Sequence, residues 1–170
     1  DLNKENIIYF GIAQKPQNLD PRFQSDAASE RISALLYSSL FYFDKRYEIK
    51  SNIVDWNKVT PLKYKFKIKK QLPIFHHNKN MGIEDIIATL NNLRSQHKSP
   101  FYLELKNIKN VIKLSEFNFE INLFKKDSNF LSRLAFYVLP VDLLHKNHNF
   151  STNPVGSGPF KFIEKYPNLK

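Results

Sequence analysis

The chain has 170 residues, 42% of them hydrophobic and 25% charged, with four glycines and no cysteine. That suffices for one compact core and excludes a disordered composition, disulfide frameworks, thiolate zinc sites and cysteine nucleophiles. Lysine and arginine number 26 against 16 acidic residues, a net charge of +10, yet no basic block is longer than a pair, so specific nucleic-acid binding is not expected.

The predicted elements follow in chain order. Residues 7–13, IIYFGIA, form a short apolar run rich in β-branched and aromatic side chains, the pattern of a buried strand. Pro16 and Pro21 make the next stretch a loop. Ser25 or Asp26 then caps a helix running to about residue 40, with Ile32, Leu35, Leu36 and Ser39 as its inward stripe. Strict alternation at 63–69 places Tyr64, Phe66 and Ile68 on one face of an antiparallel strand and four lysines on the other. A second helix is predicted from Gly82 to about Gln96, burying Ile83, Ile86, Ile87, Leu90 and Leu93. Glu84 and Asp85 fall in its first turn, where the helix dipole favours negative charge. Residues 108–114 and 117–123 read as a hairpin, with Phe117, Phe119, Ile121 and Leu123 inward and Asn118, Glu120 and Asn122 outward. A shorter helix over 128–136 follows, and the last unit, PVGSGPFKFI at 154–163, reads as a diglycine turn leading into a strand. This order indicates an α+β or mixed α/β fold.

Chemistry is sparse. His76 and His77 are adjacent and point apart on extended backbone, and His145 and His148 lie in an Asn-rich stretch, so no set of three or four ligands converges and no metal is expected. The GSGP at 156–159 lacks the Lys-Ser/Thr ending of a phosphate loop, and no serine occupies a nucleophile elbow. No catalytic residue and no cofactor emerge. No apolar run approaches the ~20 residues of a membrane span. No basic-then-apolar leader precedes Asp1, and a chain opening on Asp is expected to be a mature or shortened form.

Taken in order, five motifs are more informative than any one alone: NLDP at 18–21, LLYSSLFYFD at 35–44, YKFKIKK at 64–70, FHHNKNMGIEDI at 75–86 and PVGSGPFKF at 154–162. The series resembles the extracellular solute-binding proteins of family 5, the peptide- and nickel-binding receptors of ABC importers. The departures are His77 and Asn78 where the family has Asp and Gly, and Gly82-Ile83 where it has Thr-Ala before the helix. These positions shape a turn and a helix cap.

The resemblance implies a partial periplasmic-binding-protein-like first lobe with an accessory β-rich subdomain. Residues 1–45 and 153–170 would belong to the first lobe's sheet, residues 46–152 would form the accessory subdomain, and the second lobe would be absent. It implies a non-catalytic receptor for oligopeptides or dipeptides that works outside the cytoplasm with the membrane subunits of an importer, its signal peptide removed or omitted. By position it carries a ligand-facing role onto Phe23, Gln24, Ser25, Asp26 and Ala27, which the residues alone present simply as the start of a helix. A second reading keeps the fold and makes the chain a scaffold or interaction domain whose cationic surface meets an acidic partner or an anionic membrane.

Overall fold

A computed structural model of the chain describes residues 10–164. In order it contains α1 (Ala27–Leu36), β1 (Tyr42–Phe43), β2 (Ile49–Lys50), β3 (Val54–Thr60), β4 (Lys63–Ile68), α2 (Ile83–Ser95), α3 (Phe101–Glu104), β5 (Ile108–Lys113), β6 (Asn118–Leu123), a 3₁₀ turn (Leu131–Leu134) and α4 (Val141–His145). Four strands form one antiparallel sheet in the order β3-β4-β6-β5, and β1 pairs with β2 as a separate two-stranded ribbon. The fold is mixed α and β, as the residue pattern indicates.

The period-2 pattern of β4 is realised: Tyr64, Phe66 and Ile68 are buried and Lys65 and Lys67 exposed. Phe66 faces Phe119 of β6 across the ladder, the two rings stacked with centroids 4.8 Å apart. The same inward face receives Ile83, Ile86, Leu90 and Leu93 of α2, the apolar stripe its 3.6-residue period places on one side. On the outer face, Glu120 is only 8% exposed. The Asn122 amide and then the Lys63 ammonium hold its carboxyl below the usual range against the opposing effect of burial. A second, smaller cluster of Leu36, Tyr37, Leu139, Leu144 and Phe150 lies against α1.

Several expectations are corrected. Helix α1 ends at Leu36, because Tyr37 turns extended and the carbonyls of Leu35 and Leu36 accept from the N–H groups of Phe160 and Gly158. Of the strand expected at 7–13, residues 7–9 lie outside the described residues and 10–13 pair with no strand among them. Residues 154–163 run without a strand ladder, and no glycine there has a positive φ, so the diglycine serves close approach and not a left-handed turn. A Cβ on Gly156 would sit 1.9 Å from the Leu36 carbonyl oxygen, and one on Gly158 2.5 Å from that of Leu35. The helix expected over 128–136 is reduced to the 3₁₀ turn, since Phe130, Leu134, Phe136 and Val138 are all buried at spacings no single helix face provides. Beyond it the chain straightens to pair with 38–40, Leu40 donating to Phe136 and Ser38 accepting from Val138. Phe117 is 57% exposed instead of inward, because the turn before β6 interrupts the alternation.

Candidate functional site

The loop before α1 is built from short-range polar contacts. Pro21, with its fixed φ, follows Asp20 in a turn closed by Phe23 N–H donating to the Asp20 carbonyl at 3.1 Å. The Asn18 side chain accepts from Asp20 N–H at 2.9 Å, and the buried Tyr37 hydroxyl donates to the Leu19 carbonyl. Burial, with the nearby Asp20 carboxylate adding to it, pushes the Tyr37 phenol well above its ordinary range.

Arg22 makes a bidentate pair with Asp20, Nε to Oδ1 at 2.9 Å and Nη2 to Oδ2 at 2.7 Å, and its Nη1 donates to Asn92 Oδ1 on α2 at 3.0 Å. Its guanidinium also lies over the rings of Phe23 and Phe150. The loop is thereby fastened to α2 and to the small apolar cluster.

Asp26, and not Ser25, is the cap of α1. Its carboxylate accepts from Ser29 N–H at 2.9 Å and from the Ser29 hydroxyl at 2.6 Å, and these bonds, the hydroxyl first, hold it below the usual carboxylate range. The five residues singled out from the sequence therefore divide. Ser25 and Ala27 are exposed on either side of the capping aspartate. Phe23 turns with Arg22 into a recess of about 220 Å³ that it shares with Gln96, Leu144, His148 and Phe150. Gln24 is half-buried, and its side-chain carbonyl oxygen is covered without a hydrogen-bond partner.

Two further groups complete the surroundings. Residues 156–160 form a strap laid between the end of α1 and residue 76: His76 N–H donates to Gly156, the His76 Nε2–H to Gly158 at 2.9 Å, and Ser38 Oγ–H to Ser157. At the start of α2, Asp85 is 2% exposed and accepts from Gly82 N–H, from Val141 N–H and from Lys79 Nζ. Lys79 also reaches Asp142, whose carboxyl stays below the usual range because that ammonium outweighs the burial opposing it. His77 Nε2 lies 3.3 Å from the other Asp142 oxygen. Of the remaining histidines, His148 is bonded to the Asn153 carbonyl. Among the described residues no three His, Asp or Glu side chains are grouped to hold a metal ion. No helix there is long and apolar enough to cross a membrane.

Arg22 escapes a reading of the sequence because its partners are an aspartate two residues earlier and an asparagine on α2, seventy residues later. The one local signal is the Asp-Pro-Arg order itself.

Comparison with known proteins places this arrangement. The oligopeptide-binding protein AppA of Bacillus subtilis is 29% identical over 92% of the chain, which spans 31% of AppA. Its structure in complex with a nonapeptide superposes with a TM-score of 0.80, covering 90% of this chain and 33% of that one at 26% identity. NikZ from Campylobacter jejuni, solved with Ni(L-His), gives a TM-score of 0.78 at 25% identity over 91% of this chain and 32% of its own. The transcriptional regulator SgrR of Escherichia coli K12 matches at 24% identity over 89% of the chain and 27% of its length. The fold is thus that of the periplasmic solute-binding class, of which this chain holds part of one lobe. More narrowly, the model of the bacterial extracellular solute-binding proteins, family 5, matches residues 52–169. The chain belongs to that family and spans about a third of the length of these relatives.

Proposed function

We propose that the chain is the N-terminal portion of a non-catalytic solute receptor for an ABC importer, and that the solute is an oligopeptide or dipeptide. What carries this reading is the likeness to AppA, which extends along 92% of the chain and includes a peptide-bound structure. Residues 1–45 and 153–170 contribute to the first lobe, and residues 46–152 form its accessory subdomain. The rest of the receptor supplies the opposing lobe, and closure of two lobes about a hinge couples burial of the solute to presentation of the closed form to the importer's membrane subunits. Such a receptor works outside the cytoplasm, after removal of a signal peptide, and needs no cofactor.

Peptides are held largely through their backbone groups, which suits a mixed set of polar partners. Gln24, half-buried and with a side-chain carbonyl oxygen left without a hydrogen bond, would turn outward to accept an N–H from a bound peptide. Ser25 and Ala27 present the adjacent exposed surface.

Calorimetry on the full-length protein with dipeptides and longer peptides tests the proposal. Peptide binding that weakens in Ser25→Trp and Gln24→Ala is the expected result, and no peptide binding at all would overturn it. Residues 1–170 alone lack the opposing wall and are expected to bind peptides weakly or not at all; micromolar affinity of that piece would refute the two-lobe requirement.

A further inference from the structure

At the end of the sheet where α3 meets β5 and β6, two large apolar side chains project outward: Leu103 is 72% exposed and Phe124 65%. The backbone beneath Phe124 is fixed. Phe124 N–H donates to the Asn107 carbonyl at 2.9 Å, Lys125 N–H to Asn107 Oδ1 at 3.1 Å, and Asn107 Nδ2 to the Lys125 carbonyl at 2.8 Å. With three hydrogen bonds linking Asn107 to Phe124 and Lys125, Phe124 is presented on an anchored turn. Leu103 and Phe124 border a recess of about 620 Å³ together with Lys106, Lys125, Lys126 and Arg133.

The charges at this end are unequal. Its two acids, Glu104 and Asp127, are both taken up by Arg133, which bonds Asp127 through Nε at 2.7 Å and Glu104 through Nη1. Lys106, Lys125 and Lys126 are exposed, and none forms an ion pair with another described residue. Lys106, Lys125, Lys126 and Arg133 against Glu104 and Asp127 leave an excess of two positive charges around two protruding apolar side chains. Exposed apolar side chains beside an excess of cations fit a deformable surface that is negatively charged at its rim and oily beneath.

We propose that this end of the sheet docks on an anionic lipid bilayer, with Phe124 and Leu103 entering the headgroup region and Lys106, Lys125 and Lys126 pairing with lipid phosphates. The inference stands apart from the identity of any solute.

Flotation of the full-length protein with phosphatidylcholine vesicles, and with vesicles that also contain phosphatidylglycerol, tests it. Binding is expected only to the anionic vesicles and should fall as salt is added. K106Q/K125Q/K126Q should lower partitioning about a hundredfold, at about fivefold per lysine. K15Q/K45Q/K70Q, which removes the same charge from exposed lysines elsewhere, should change it far less. Phe124→Ser, with every lysine kept, should weaken binding about tenfold through lost apolar burial. All these positions are exposed, and circular dichroism of each variant checks its folding. Equal losses in the two triple variants, an unchanged Phe124→Ser, or no vesicle binding by the wild-type protein would overturn the proposal. So would displacement from vesicles by soluble polyglutamate that is as effective for wild type as for Phe124→Ser, since that would indicate an acidic polypeptide as the partner.

Discussion

The apolar core beneath the four-stranded sheet and the cluster beside α1 are held by different means. Under the sheet, Phe66, Phe119, Ile121, Ile86 and Leu90 belong to one core that continues to Phe136, and dispersion and burial dominate. Beside α1 the apolar cluster is small, Leu36, Tyr37, Leu139, Leu144 and Phe150, and directed contacts carry much of the rest: the Arg22–Asp20 pair, the Ser29–Asp26 cap and the glycine strap. Burial is non-directional and tolerates changes that conserve volume. Directed contacts and backbone-to-backbone approach do not, so a single added carbon can matter more at the strap than in the core.

Removing volume from the larger core tests that contrast most severely. Phe119→Ala should cost about 3–5 kcal/mol, read as a lower urea midpoint. Asp85, at the start of α2 and bonded to Val141, comes next. Asp85→Ala strands the backbone donors of Gly82 and Val141 and leaves Lys79 with Asp142 alone, and should cost about 2–4 kcal/mol, while Asp85→Asn, which retains one acceptor, should cost less. Gly156→Ala forces a methyl against the Leu36 carbonyl, and overpacking of that kind costs about 1–3 kcal/mol. Its signature should be faster proteolysis near 154–164 with the fluorescence of Trp56, packed against Phe41 in the larger core, little changed. If both regions melted together, the distinction between them would fail.

The smallest effect is electrostatic. The Asp142 carboxyl is lowered in the folded chain, chiefly by Lys79 acting against burial. The folded state therefore binds fewer protons than the unfolded one near the carboxylate range. Its contribution is complete above the ordinary carboxylate value and disappears as pH falls below about 4. Urea midpoints of Asp142→Asn should accordingly fall less steeply than those of wild type on acidification. At the alkaline end, burial first and then Glu30 push the Tyr137 phenol up to about 12. The unfolded chain gives up that proton first, near 10, so Tyr137→Phe should reduce the loss of stability as pH rises from there.

Where a residue's fate depends on near neighbours, the sequence was readable. Tyr64, Phe66 and Ile68 are buried as their alternation predicts, and so are Ile83, Ile86, Leu90 and Leu93 of the α2 stripe, while Ile87 at its edge is half-buried. Where it depends on distant partners, it was not. The end of α1 is set by N–H groups at Gly158 and Phe160, some 120 residues away, and no local rule for ending a helix anticipates that. The diglycine looks like a turn because glycine usually supplies left-handed backbone, whereas here it removes two side chains that would strike α1. Phe117 matched the period of β6 but fell on the turn. At the candidate site, motif order singles out residues 23–27 for the proposed ligand-facing role. Asp26 as a cap is legible because its partner Ser29 lies three residues on, whereas the packing of Phe23 is not, since it depends on Phe150 and Gln96 from elsewhere in the chain.

The strap has one more consequence. It lays the outgoing chain at residues 156–160 alongside the incoming chain at 35–38, with Leu40 and Phe136 bonded just beyond. The chain between, sheet and α2 included, leaves and returns at this one crossing, and Arg22 ties it a second time through Asn92. A change of loop length between residues 44 and 130 leaves that crossing in place, provided the two glycines at the threshold are kept.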